Sequence, residues 1–230
     1  MTIIDIGANL GYYALLESQL AFLKGHVYAI EPVPKNFKIL SKNIELNNCK
    51  NISTYNTAIG DHDGFLDMYI YERSNWASFN PNLPIKMIDK IPVPITTLDN
   101  FIASNLSRNP DFVRMDVEGF EYEILKGAQT LLRTATSLII CIEMHPHLMT
   151  TEKLMDCLKL MKDNGFSVNA IFREVVYPSE IKYVKIINKL KKILDLPQYG
   201  YLGNDFNTLE NILIHKHGAM VFFKKSIKKG

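Results

Sequence analysis

A short apolar run that breaks into glycine, Ile3-Ile4-Asp5-Ile6-Gly7-Ala8-Asn9-Leu10-Gly11, is followed by a second apolar run that ends on Glu31. This pairing constrains the fold more than any other feature. Ile3 to Ile6 has the character of a buried strand, the glycines allow a tight turn with the backbone close to a ligand, and residues 12–23 have helical length and spacing. The strand expected over 26–30 then delivers Glu31 about 20 residues past Gly11, the offset at which an acidic side chain meets a ribose diol in doubly wound folds. The implied ligand is a nucleoside cofactor. The bland alternative is that Gly7 and Gly11 only punctuate a strand-to-helix turn.

A nicotinamide dinucleotide fits poorly, because its glycine pattern would need glycine at positions 9 and 12, where this chain has Asn9 and Tyr12. An Asp directly before the glycine turn suits a zwitterionic ligand. Asp5 can help hold an amino acid moiety while N–H groups after Gly7 meet its carboxylate. S-adenosylmethionine has that shape, and the turn residues Asp5, Gly7, Ala8, Asn9, Gly11 and Tyr12, with Glu31, form its expected binding set.

Beyond this turn, strand and helix patterns alternate: helix 35–47, strand 51–58, strand 111–116, helix 121–133, strand 137–143 and helix 151–164. That is the pattern of a parallel sheet in an α/β fold. A strand over 167–172 and a closing antiparallel hairpin of 211–215 with 219–223 are expected to complete it. The stretch 64–95, strand-like over 65–71 and then carrying prolines at 81, 84, 92 and 94 and the only Trp of the chain, Trp76, breaks the alternation and reads as a long acceptor-side loop. Trp76 is either a wall of the acceptor site or a hydrophobic plug for the sheet edge. A single domain over 1–230 accommodates all of this, with a basic insertion at 173–210.

The segments "IIDIGANLGYYAL", "VYAIEPVPKNF", "TAIGDHDG", "ITTLDNFI" and "FVRMDVEGFEYEILKGAQTLL" together resemble, in order and spacing, the FkbM-type methyltransferase family. The resemblance covers about residues 3 to 145. It implies a Rossmann-like class I, S-adenosylmethionine-dependent fold with a mostly parallel seven-stranded sheet, usually acting on oxygen. The family varies widely in acceptor, so a hydroxyl on a sugar or small metabolite is the expected substrate class.

Ligands in open α/β sheets lie outside the carboxyl ends of the strands, and three of those ends carry acids: Asp5, Asp116 and Glu143. Asp116 is the first choice for contact with the sulfonium end of the donor and with the acceptor, and Glu118 the second; the alternative for Glu118 is to cap the following helix, where Glu121 and Glu123 read as first-turn acids. His145 is the candidate proton acceptor by its ordinary pKa, or else a satisfied loop residue before Pro146. Ala58, Ile59 and Asp61 are placed beside adenine, with Asp61 able to accept from the exocyclic amine. Asp116, Glu118 and Glu143 could share a divalent ion, but no dedicated ligand spacing is visible, so no metal is expected.

Three cysteines, Cys49, Cys141 and Cys157, lack metal-type spacing and read as reduced and structural. No run of about 18 apolar residues exists, which excludes a membrane-spanning helix and leaves a cytoplasmic location as the expectation. Residues 171–230 carry 11 basic and 5 acidic side chains. This excess is too dispersed for a nucleic-acid track. Within it, 183–196 has the amphipathic basic pattern of a covering helix, or alternatively of a membrane-surface contact in a non-catalytic module.

Overall fold

Parallel pairing starts at the first strand, β1 (Thr2–Ile6), which lies between β2 (His26–Ile30) and β8 (Phe112–Met115) and pairs in parallel with both. The computed structural model describes residues 1–21, 24–72, 77–174, 199–214 and 218–226. Trp76 and the 183–196 segment, like most of the 173–210 insertion, lie outside these residues.

Beside β2 lies β3 (Ile52–Tyr55), and beside β8 lies β9 (Ser137–Met144), both parallel to their neighbours. Three further strands are β10 (Ser167–Glu174), β11 (Tyr199–Gly203) and β12 (Ala219–Ser226). Among the described residues the sheet has eight strands in the order β11-β10-β12-β9-β8-β1-β2-β3, with β12 inserted antiparallel between β9 and β10. Helices cover both faces, so the central strands are mostly apolar and buried, with Asp5 and Arg114 as buried charges among them. On one face Ile4, Ile6 and Val113 pack with α3 (Leu98–Asn105), α4 (Glu121–Lys126), α5 (Gln129–Thr134) and α6 (Thr151–Asp163). On the other, Ile3 and Val27 pack under α1 (Tyr12–Leu20) and α2 (Pro34–Leu46).

The sequence expectations need five corrections. The closing hairpin does not form: 206–214 is a helix, α7 (Phe206–Ile214), and β12 pairs instead with β9 and β10. Asp205 caps that helix by accepting from Thr208 N at 2.9 Å and Thr208 Oγ1 at 2.6 Å, and Leu209 and Leu213, one turn apart, are fully buried. The sheet accordingly has eight strands rather than seven.

The strand-like 65–71 is a strand, and the stretch 64–95 contributes to a second sheet rather than a loop. Its strands β4 (Ala58–Gly60), β5 (Gly64–Tyr71), β6 (Ala77–Ser78) and β7 (Met87–Thr97) run in the order β4-β7-β5-β6. Pro92 and Pro94 are tolerated because β4 pairs with β7 only at 95–97, so both prolines sit where that side of β7 is an open edge. The strand expected over 51–58 is consequently split between the two sheets.

The helix expected over 121–133 is divided into α4 and α5 at Gly127. A Cβ at Gly127 would lie 1.9 Å from the carbonyl oxygen of Gly60. Asp99 stabilises the restart, its carboxylate accepting from Thr130 N at 2.7 Å and Leu131 N at 2.9 Å. In an ordinary helix Gly→Ala stabilises by about 1 kcal/mol. Gly127→Ala should here do the opposite, losing ~1–3 kcal/mol by overpacking. Urea denaturation followed by circular dichroism reads the sign, and a variant as stable as the parent would contradict this close approach.

Candidate active site

The carboxyl ends of β1, β2 and β8 lie side by side, and the loops leaving them enclose the cleft that carries the site chemistry. After β1 the chain turns through Gly7 at φ 82° and Asn9 at φ 50°. Gly7 is required twice over, since its φ is left-handed and an added Cβ would lie 2.0 Å from the carbonyl oxygen of Asp116 at the end of β8. The turn is thus pressed against the next loop.

Four of its N–H groups are already paired within the protein. Gly7 N and Ala8 N donate to Ile30 O at 3.0 and 2.9 Å, Gly11 N to Ala8 O at 2.8 Å, and Asn9 N to Glu31 Oε2 at 2.9 Å. Glu31 ties two loops together, because its Oε1 also accepts from Val33 N at 2.9 Å. Burial pushes its carboxyl up to about 7, against the lowering effect of the Val33, Asn9 and Asn36 hydrogen bonds. It still faces the cleft, and a carboxylate has lone pairs left for a diol.

The cleft is open to solvent and spans about 810 Å³ counting its mouth. Glu31, Asn36 and Thr57 give one side polar groups; Val33, Ala58, Ile59 and Met68 form an apolar wall, and Phe120 closes it against Phe79 with ring centroids 4.3 Å apart. Asp116, Val117 and Glu118 stand at the β8 end.

Asp116 is aimed by a residue that the sequence reading passed over. Arg114, on β8, is 4% exposed; it donates from Nη1 to Asp5 Oδ1 at 3.1 Å and from Nη2 to Asp116 Oδ2 at 3.0 Å, and its guanidinium lies 3.8 Å from the centre of the Tyr13 ring. Asp5 is therefore an interior counter-ion, fully buried beside Arg114 in the parallel register, and not a wall of the cleft. Burial pushes its carboxyl up while Arg114 draws it down.

Glu118 sits at φ 51°, a strained conformation for a non-glycine residue, and burial raises its carboxyl above the ordinary value. His145, just past β9, lies behind it, with Nε2 3.7 Å from Glu118 Oε2 and 4.0 Å from Asp116 Oδ1. Its Nδ1 donates to Glu121 Oε1 at 2.8 Å. Burial opposes the charged imidazole, but Glu121, Glu118 and Asp116 together raise it to about 9. At neutral pH such a histidine already carries its proton, which removes the reason for choosing it as the proton acceptor.

The cleft thus gathers Gly7, Asn9, Glu31, Ala58, Ile59, Asp116 and Glu118 from the expected set. Ala8, Gly11, Tyr12 and Asp61 are outside its walls. Tyr12 is 70% exposed. Asp61 pairs with Lys126 at 2.7 Å and His62 at 2.8 Å, and these partners hold its carboxyl below the usual value. Glu143, half-buried at the end of β9, is also outside the walls. One signal was available for the missed residues: Arg114 is a charge inside the apolar run Phe112-Val113-Arg114-Met115, whereas the burial of Glu121 is visible only in the fold.

Comparisons with known proteins extend over most of this region. The methyltransferase FkbM domain matches residues 5–168. Methyltransferase 1 of Beauveria bassiana is 25% identical over 144 residues, covering 54% of this chain and 57% of that protein. Hexuronic acid methyltransferase AglP of Haloferax volcanii is 29% identical over 144 residues, covering 59% of this chain and 53% of that protein. The chain therefore spans just over half the length of these relatives. The crystal structure of methyltransferase FkbM from Methylobacillus flagellatus superposes with a TM-score of 0.51 at 18% identity, over 74% of this chain and 39% of that one, which supports the fold. With the family model covering well over half of its residues, this chain belongs to the FkbM methyltransferase domain family, whose methyl donor is S-adenosylmethionine.

Proposed function

We propose that this chain transfers a methyl group from S-adenosylmethionine to a hydroxyl of a sugar or similar small polar acceptor. The observation that carries the reading is a single cleft with the Glu31 carboxylate at one end and the Asp116 and Glu118 carboxylates at the other. The residues fit the donor. Glu31 can accept from a ribose diol, the Val33, Ala58 and Phe120 surfaces suit a flat base, and Asp116 and Glu118 put negative charge where a sulfonium would be cationic. Bound there, the donor supplies an electrophilic methyl: its carbon–sulfur bond breaks as a carbon–oxygen bond forms, and the acceptor hydroxyl gives up its proton.

The chain's own part is positioning and charge. Arg114 holds Asp116 at one oxygen and leaves the other toward the acceptor side, and Glu118 beside it draws the hydroxyl proton. Orienting an acceptor against the methyl can contribute ~7 kcal/mol or more to the rate. That AglP is named a hexuronic acid methyltransferase supports a sugar acceptor for this relative of it. The test is incubation with isotope-labelled S-adenosylmethionine and a panel of glycans and small polyols, with mass identification of the product. An O-methyl sugar supports the reading; label found only on nitrogen, or on nothing when donor binding is intact, overturns it.

Glu31→Ala should weaken S-adenosylmethionine binding by roughly 10- to 150-fold, the effect of losing ~1.5–3 kcal/mol of charge-assisted hydrogen bonding. Because its carboxyl titrates at about 7, donor affinity should fall as pH drops through that value and the accepting carboxylate is lost. Glu31→Gln should be weak at every pH and lack this dependence. Calorimetric titrations across the neutral range decide it, and a pH-independent parent affinity would detach Glu31 from the donor.

A further inference from the structure

We propose that Asp116, Glu118 and His145 form a binding site for one divalent cation at the acceptor end of the cleft. One donor atom from each can be chosen so that all three lie within 4.8 Å of one another, and His145 Nε2 is 4.0 Å from Asp116 Oδ1 and 3.7 Å from Glu118 Oε2. These separations are too long for hydrogen bonds. A cation with bonds of about 2.1 Å in a tetrahedral arrangement sets its donors about 3.4 Å apart, so a small inward shift would bring all three into coordination.

An independent feature of the structure aims the histidine. Glu121, fully buried, accepts from His145 Nδ1 at 2.8 Å and from Gly119 N at 3.2 Å. This is the carboxylate–histidine arrangement that fixes a metal-ligating imidazole, with Nε2 facing the ligand and giving up its proton as the cation binds. Asp116 is prepared in the same way: Arg114 occupies Oδ2 at 3.0 Å, and Oδ1 is the oxygen turned to His145. Asp116 and Glu118 line the cleft, so the cation would be reached from solvent and would keep open positions toward an acceptor oxygen. Two carboxylate oxygens and one imidazole nitrogen suit a hard or borderline ion such as Mn²⁺ or Zn²⁺. The ligands come from the ends of two different strands, which is why no spacing in the sequence announces them.

The site deepens the proposed transfer reaction, since a cation there would acidify a coordinated hydroxyl, but binding itself can be read with neither donor nor acceptor present. The experiment is calorimetric titration of the chelator-treated chain with Mn²⁺ and, separately, Zn²⁺. One saturable site per chain is expected for at least one of the two. Glu118→Gln, a half-exposed change that leaves the core intact, and His145→Gln should each weaken it at least ~10-fold, and Glu121→Gln by roughly 10- to 100-fold through loss of imidazole orientation. No saturable binding of either ion below about 1 mM, a weak limit in free-energy terms, overturns the site. So does binding that Glu118→Gln and His145→Gln leave unchanged. A chain that transfers methyl groups yet binds no cation would overturn this inference and leave the proposed function standing; one that binds the cation and transfers nothing would do the reverse.

Discussion

A guanidinium enclosed in the middle of a parallel sheet must be matched by opposite charge, because removing it from water costs several kcal/mol that only close counter-ions offset. Arg114 is that group, and its partners are Asp5 on the neighbouring strand and Asp116 at its own strand's end. The pairing binds β1 to β8 through side chains as well as backbone. It also orients the carboxylate that the cleft presents. Arg114 cannot be relieved of its charge by losing a proton, so the arrangement holds across the physiological pH range.

The cleft needs both sheets. The main sheet contributes the strand ends and therefore the acids, while the smaller sheet contributes the apolar wall through Ala58, Ile59 and Met68. Glu31 stands at the junction: its carboxylate is bound by N–H groups from the glycine turn and from the loop after β2, and Asn56 at the start of the crossing to the second sheet donates to Glu31 O at 2.9 Å. A residue that reads as a ribose contact in the sequence is thus also the clasp of the loops around it.

The acid-rich end has a different logic. Glu121, which the sequence places in a first helical turn, is buried and serves His145. His145 in turn faces Asp116 and Glu118, and their combined charge decides its protonation. An imidazole's usefulness as a base depends on its neighbours more than on its ordinary pKa, and these neighbours come from another strand end.

Local pattern alone determined the alternation of strands and helices, the glycine turn and the acid at Glu31, because periodicity and turn chemistry act over a few residues. The same sequence reading sent 211–215 into a hairpin, since Asn211-Ile212-Leu213-Ile214 is too short and too apolar to distinguish strand from buried helix without the Asp205 cap. It saw a loop in 64–95, since prolines at 92 and 94 argue against a strand until the partner's length shows them to lie at an edge. Asp5 could not be placed, because a strand buried on both faces has no polar alternation to tell which way a side chain points. Tertiary structure decided that direction, the partners of the turn's N–H groups, and the meeting of Asp116, Glu118 and His145. Each depends on contacts between residues far apart in the chain, where spacing along the sequence carries no information about distance in space.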